Sequence, residues 1–550
     1  RLLCQFRNKD QDAIERDEDE QKKKLGIVAR NITRADFRLD GAGWMPQESW
    51  HLLLIDATTG EVTQLTDGDY HETSPVWAPD GETIYFLSNR SEKPDLEPDL
   101  VDVFSIPAAG AEMERLETPI GTKSGLAASP DGEWLSYTSS EGKGNWWRNN
   151  SLWVLARDGS EPARNLTAET DLHISNSTLG DVADRPVTAP VWSVDSTKLF
   201  TQVSRHGRTS LYSVGLDGTV ESLLAPEGAI SDFTFDEARQ TLAYIWGSFS
   251  DPGQIWLWDT AEEGYRQLTQ LNESWFGAID LGEIEEVWIK GADGNDLQGW
   301  ILKPPGFDPE KTYPSILEIH GGPWLQYGQL FMHEFYTLAA QGYVVHFTNP
   351  RGGQGYGEVH SRAIHHNWGD RDYADVMAWT DSVAALPYID TERMGVTGGS
   401  YGGYMTAWII GHTDRFKAAV AQRVVSNALS FWGSSDVGIH FEDPWANCQP
   451  PWEAFEAYWR QSPVAYIGNA TTPTLVIHSE QDMRCNLEQG TQLFLALRRL
   501  GVDTELVVFP EESHGLSRGG RTDRRVARLG HIVRWFDRYL KEGKSVAVSA

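Results

Sequence analysis

Met394-Gly-Val-Thr-Gly-Gly-Ser-Tyr-Gly-Gly403 is the stretch on which the fold turns. A short strand, Met394–Thr397, meets the pattern G-x-S-x-G at 398–402 and runs into a helix starting near Gly403. That is the strand–turn–helix setting of a nucleophile elbow. The turn forces Ser400 into a strained backbone, and the glycines two positions to either side let strand and helix cross closely. The helix N-terminus then aims backbone N–H groups at charge developing beside Ser400.

A serine hydroxyl needs a base, and the base needs an orienting acid. On such a fold the chain order is Ser, Asp, His, and the partners lie in loops at the carboxyl ends of later strands. The strand Thr474–Ile477 ends in His478-Ser-Glu-Gln-Asp482, and Thr504–Val508 ends in Phe509-Pro-Glu-Glu-Ser-His514. Asp482 is the candidate acid and His514 the candidate base. His478 competes with His514, but it precedes Asp482 and reads as a structural residue at a strand end. Glu480 is a lesser rival to Asp482, while Glu511 and Glu512 sit too near His514 in its own loop. One oxyanion donor is the N–H of Tyr401. The second is Gly322 in His320-Gly-Gly-Pro323, preferred to Gly321, because its N–H approaches a substrate with no side chain in the way.

Around these motifs, residues 278–545 alternate strands with helices. Ser315–Ile319, Tyr343–Thr348 and Ala418–Ala421 join the strands already named. Helical patterns fall at 373–384, 403–412, 486–500 and 524–541. This is an α/β-hydrolase domain with a mostly parallel, doubly wound sheet.

Residues 1–277 follow another grammar, that of a repeat. Pro75-Val-Trp-Ala-Pro-Asp-Gly81 returns as Ala128-Ser-Pro-Asp-Gly-Glu-Trp-Leu-Ser-Tyr137, as Pro190-Val-Trp-Ser-Val-Asp195, and in worn form as Phe233-Thr-Phe-Asp236. Each copy leads into an alternating strand, and Leu65-Thr66, Leu166-Thr167 and Leu268-Thr269 close the strands between. The aspartates at 80, 131, 195 and 236 bracket the roughly 40–50 residues of a four-stranded propeller blade. A solenoid or sandwich of short strands is the competing reading. Four blades and a partial first one make about five, so the β-propeller reads as incomplete, with N-terminal blades outside this sequence. The charge run Ile14–Lys24 reads as a solvated loop or helical insertion.

The chain has 79 acidic against 47 basic residues, a net charge of −32. That surface repels phosphate backbones and anionic lipid, so neither nucleic acid nor membrane is expected as a partner. No apolar run reaches transmembrane length. Cys4, Cys448 and Cys485 form no disulfide framework, which points to a reducing, cytoplasmic setting. Gly352-Gly-Gln-Gly-Tyr-Gly357 lacks dinucleotide-site spacing. His360, His365 and His366 lie near Glu358 and Asp370 without an H-E-x-x-H and read as a helix edge, so no metal and no cofactor are expected. The many tryptophans read as propeller packing. Arg351 and Arg423 are candidates for holding a substrate carboxylate or carbonyl, with ion pairing as the other reading.

His320-Gly-Gly-Pro323, Asn349-Pro-Arg-Gly352, Trp368-Gly369 with Asp372, Gly398–Gly403, His478–Asp482 and Ser513-His-Gly515 together resemble the prolyl oligopeptidase family of serine peptidases, in its acylaminoacyl-peptidase branch. The resemblance covers most of the chain. It implies a propeller that covers the site and admits short or N-acylated peptides, the roles given above to Ser400, Asp482, His514, Tyr401 and Gly322, and assembly as a dimer or higher homo-oligomer. The dipeptidyl-peptidase branch would carry an Asp-Trp-x-Tyr-Glu-Glu segment, and none is present. The rival readings are a carboxylesterase or lipase on the same fold and a non-catalytic propeller scaffold.

Overall fold

A computed structural model describes residues 1–7, 19–182, 187–260 and 264–542. Five antiparallel sheets succeed one another up to Gln267. The first has three strands, Leu2–Arg7, Trp50–Ile55 and Val62–Gln64, and the next four have four strands each. A single parallel pair, Thr209 with Ala229, links the fourth sheet to the fifth. Alternation along each strand sends side chains to both faces, so every sheet shares one apolar layer with the sheet before it and another with the sheet after. Ile84 and Phe86 pack with Leu52 and Leu54 of the first sheet, while Tyr85 and Leu87 pack with Leu135 and Tyr137 of the third.

The repeat has a hydrogen-bond logic. Asp80, Asp131, Asp195 and Asp236 each accept backbone N–H bonds from residues two to five positions on, at 2.8–3.2 Å, which holds the tight turn. The Leu-Thr step closes a blade in the same way three times. Leu65, Leu166 and Leu268 donate to the carbonyls of Leu52, Leu152 and Ile255. The hydroxyls of Thr66, Thr167 and Thr269 accept the N–H groups of those same residues at 2.9, 3.1 and 2.8 Å. Residues 14–18 of the charge run lie outside the described residues, and the rest forms a short helix, Glu20–Leu25, capped by Asp19.

After a short helix, Glu273–Phe276, comes an eight-stranded sheet: β1 Glu283–Lys290, β2 Asp296–Lys303, β3 Tyr313–Ile319, β4 Val344–Thr348, β5 Ile389–Gly399, β6 Ala418–Gln422, β7 Thr474–Ser479 and β8 Thr504–Phe509. The spatial order is β1-β2-β4-β3-β5-β6-β7-β8, parallel from β4 to β8, with β1 and β2 antiparallel at one edge. The sequence reading did not find β1 and β2. Five longer helices pack on this sheet: α1 His333–Ala340, α2 Arg371–Ala384, α3 Tyr401–His412, α4 Leu487–Leu500 and α5 Thr522–Phe536. Leu317 and Ile319 enter the core on one face, and Ile316 enters the core on the other. α3 is buried along almost its whole length. No helix among the described residues is long and apolar enough to cross a membrane.

The two domains interlock behind the loop that follows His320-Gly-Gly-Pro323. The fully buried Gln326 accepts the Gly207 N–H at 2.9 Å and donates to Thr178 Oγ1 at 2.8 Å and to the Arg208 carbonyl at 3.1 Å. Gly355 and Gly357, at φ 89°, press against Gln326 and Asp171, where a Cβ would stand 2.3 and 2.1 Å from a side-chain oxygen. That packing explains the glycine-rich segment 352–357 as a close interdomain contact.

Candidate active site

Ser400 sits between β5 and α3 at φ 63° and ψ −119°, a conformation that L-residues reach only under constraint. The constraint is visible around it. The Ser400 N–H donates to the Gln422 carbonyl at 3.0 Å. A Cβ on Gly398 or Gly402 would lie 2.5 or 2.0 Å from the Ile319 carbonyl oxygen, so only glycine fits there. Asp372, pushed up to about 6 by burial, accepts the Tyr401 hydroxyl at 2.5 Å and the Gly369 N–H at 3.1 Å, which fixes the first residue of α3.

Asp482 and His514 meet from the loops after β7 and β8, with His514 Nδ1 and Asp482 Oδ2 at 2.8 Å. The other Asp482 oxygen accepts the Arg484 and Cys485 N–H groups at 3.0 and 2.7 Å. Burial pushes Asp482 up to about 6 and holds His514 well below the ordinary imidazole range, with the positive charge of Arg423 adding to the second effect. A neutral imidazole beside an ionised carboxylate is the resting state that a general base needs. His478 is buried 3.7 Å from the same Asp482 Oδ2, its Nε2 meets the Cys485 carbonyl at 2.5 Å, and it does not line the cavity that Ser400 borders.

Ser400, His514, Tyr401 and Gly322 border one cavity of ≈350 Å3. The N–H of Gly322 meets no acceptor among the described residues. One side of the cavity is aromatic: Trp368 meets both Trp324 and Phe441 edge-on, and Trp146 reaches in from the propeller. Leu179 and Asp181 also enter from the propeller.

Arg423 lines this cavity, with its guanidinium against Gly399 and Nη1 at 3.2 Å from Ser517 Oγ. Arg351 does not. Its guanidinium grips Asp375 at 2.8 Å through two nitrogens and Asp293 at 2.5 Å through the third, so it is a buried ion-pair anchor and its assignment to substrate is corrected. The histidines divide: His360 Nε2 donates to the Pro350 carbonyl at 2.9 Å, and His365 pairs with Asp443 at 2.8 Å. His365, His366 and Asp443 are the one group among the described residues that could hold an ion. Their ligand atoms lie within 4.8 Å of one another, with the two rings 3.8 Å apart and 31° from parallel.

Two lining residues escaped the sequence reading. Glu318 is 2% exposed with no partner for Oε1, and burial and the charge of Glu334 push its carboxyl well above the ordinary carboxylate range. Its signal was a lone acid in an apolar parallel strand. Cys485 lies against the Ser400 hydroxyl with its thiol pushed up by burial.

An elbow serine at the carboxyl edge of such a sheet is the mark of the serine hydrolases built on the α/β-hydrolase fold, and this chain is one of that class. Residues 329–543 match the model of the prolyl oligopeptidase family. The chain is 34% identical over 508 residues to the Bacillus subtilis protein described as uncharacterized peptidase YuxL, covering 92% of this chain and 76% of that one. It is 29% identical over 467 residues to dipeptidyl-peptidase 5 of Arthroderma otae, where it spans 80% of its own length and 61% of the relative's. The solved Pyrococcus horikoshii acylaminoacyl peptidase superposes with a TM-score of 0.81 at 25% identity, over 99% of this chain and 80% of that one. A structure of acylaminoacyl peptidase in complex with Z-Gly-Gly-Phe-chloromethyl ketone superposes with the same values. The chain belongs to the prolyl oligopeptidase family of serine peptidases.

Proposed function

We propose that the protein cleaves short or N-acylated peptides through an acyl-enzyme, as an acylaminoacyl-peptidase or oligopeptidase. His514 takes the proton of Ser400, whose Oγ attacks the scissile carbonyl, and the N–H groups of Tyr401 and Gly322 hold the oxyanion. The imidazolium, steadied by Asp482, gives the proton to the leaving amine. Water then repeats the sequence on the ester. The observation that carries this reading is the 2.8 Å His514–Asp482 pair opening on the same cavity as the elbow serine.

The cavity supports the substrate class. Its aromatic wall suits a large apolar side chain next to the cleaved bond, and the solved relative carries an inhibitor with phenylalanine at its reactive end. Three carboxyl groups line it, and none is presented to a substrate ammonium. Asp181 accepts the His333 and Glu334 N–H groups at 2.9 and 3.1 Å, Glu334 pairs with Arg528 at 2.7 Å, and burial disfavours the charged form of Glu318. A blocked N-terminus therefore fits better than a free one, against the dipeptidyl activity named for some relatives. Turnover of acyl-Phe and free dipeptidyl anilides, with a p-nitrophenyl ester as control, tests the reading. The acyl-peptide should win, and Ser400→Ala should lose several orders of magnitude in rate. Wild-type turnover by Ser400→Ala would sink the triad, and preference for the free dipeptide or the ester would sink the substrate class.

A further inference from the structure

One carboxylate bonded to the backbone of both catalytic loops comes from the other domain. Within the first propeller sheet, between Leu2–Arg7 and Trp50–Ile55, the chain throws out a small hairpin, Arg38–Leu39 paired with Gly43–Trp44. It is tied to the propeller by the Ala35 N–H, which donates to Asp95 at 2.7 Å. Asp40, at its tip, reaches the hydrolase domain. Asp40 Oδ1 accepts the Met483 N–H at 2.9 Å and the His514 N–H at 3.1 Å, and Oδ2 lies 3.2 Å from the same His514 nitrogen. Met483 follows the acid of the triad, and His514 is its base. One side chain thus spans both loops at the residues that matter, above the Glu480–Phe509 and Gln481–Glu512 backbone bonds that tie the loops lower down.

The docking is built from both sides. The Asp40 N–H donates to Asp436 Oδ2 at 2.9 Å, and Asp436 holds Arg484 through two bonds of 2.7 and 3.1 Å. Arg38 donates to the Ser434 carbonyl beside it. A solvated hairpin would need none of these partners.

We infer that Asp40 is a positioning residue for peptide hydrolysis, a propeller carboxylate that fixes the Asp482 and His514 loops at the spacing their hydrogen bond requires. This rests on the triad assigned above. Asp40 touches no reacting atom. It acts through two backbone N–H groups, whose displacement by a fraction of an ångström misaligns the imidazole with Ser400. Its negative charge also favours the imidazolium, opposing Arg423, Arg518 and Arg484, while Asp482, Asp436 and His478 face the same ring from the hydrolase side.

Two variants of the full chain, Asp40→Ala and Asp40→Asn, separate positioning from mere folding. Asp40→Ala should lower kcat for an acyl-peptide anilide about 10–100-fold with little change in KM, and slow fluorophosphonate labelling of Ser400 in parallel. Asp40→Asn keeps an oxygen for the two N–H groups and should recover most of kcat. Its acid limb of kcat/KM should move to lower pH, because the charge that raised His514 is gone. Wild-type kcat and labelling in Asp40→Ala, whatever its Tm, overturns the inference. If Asp40→Ala does not fold, Asp40→Asn decides, and an unmoved acid limb overturns it. A Ser400→Ala enzyme that remains active would show instead that the triad assignment had failed.

Discussion

At the scale of single residues, the site is a set of shifted protonation states. With His514 below the usual imidazole range and Asp482 near 6, kcat/KM should stay level through neutral pH and fall only as pH drops through about 6, where the pair takes up a proton. A pH–rate profile with its acid limb at or above 7 would contradict this. Glu318 makes the opposite kind of contribution. Burial raises its pKa in the folded chain above the ordinary carboxylate value of the unfolded chain, so stability is lost as pH rises above that ordinary value. Glu318→Gln, neutral in both states, should therefore gain in Tm over wild type between about pH 5 and 8 and show no gain at about pH 4; melting curves across that range check it. The triad residues could be read from sequence because strand, turn and chain order all constrain them. For Arg351 the two readings could not be separated from sequence, because its partners, Asp375 and Asp293, lie in distant segments that only the folded sheet brings to it. Asp40 gave no sign for the same reason: its carboxylate bonds to residues more than 440 positions away, and no local pattern encodes them.

At the scale of elements, the Leu-Thr step shows how a repeat survives when most of its sequence has drifted. Each threonine satisfies a backbone N–H that the shortened outer strand leaves without a partner. Thr167 is buried and so is Leu152, its donor. Thr167→Val keeps shape and removes the acceptor, and should cost about 1–3 kcal/mol in denaturant unfolding of the propeller. A loss below a few tenths would mean that water replaces the hydroxyl. The blades were legible because the turn aspartates and these threonines recur at fixed places in the hydrogen-bond ladder. Strands β1 and β2 were not. β1 alternates charged and apolar residues at a half-exposed edge, and its polar face resembles a loop when only continuous apolar runs are sought.

At the scale of the whole molecule, Gln326 decides how firmly the propeller sits on the hydrolase domain. Gln326→Leu would strand the buried Gly207 N–H and weaken the contact, costing about 1–3 kcal/mol for each group left unpaired. Limited proteolysis should then cut the connecting segment faster, and the two domains should melt as separate transitions; an unchanged cleavage rate would place the interdomain energy elsewhere. The general architecture was readable from the change of pattern between the two halves of the sequence, while the interface was not, since it is made of loops joined across the fold. The same loops give the cavity a divided ownership. Trp146 and Leu179 belong to propeller loops, whereas Ser400, Asp482 and His514 stand in the turn and loops at the ends of strands of the hydrolase sheet. Mutational drift at Trp146 or Leu179 can therefore retune which peptides enter without disturbing the nucleophile, so descendants of this chain have a route to new diets through inherited variation in a domain that performs no chemistry.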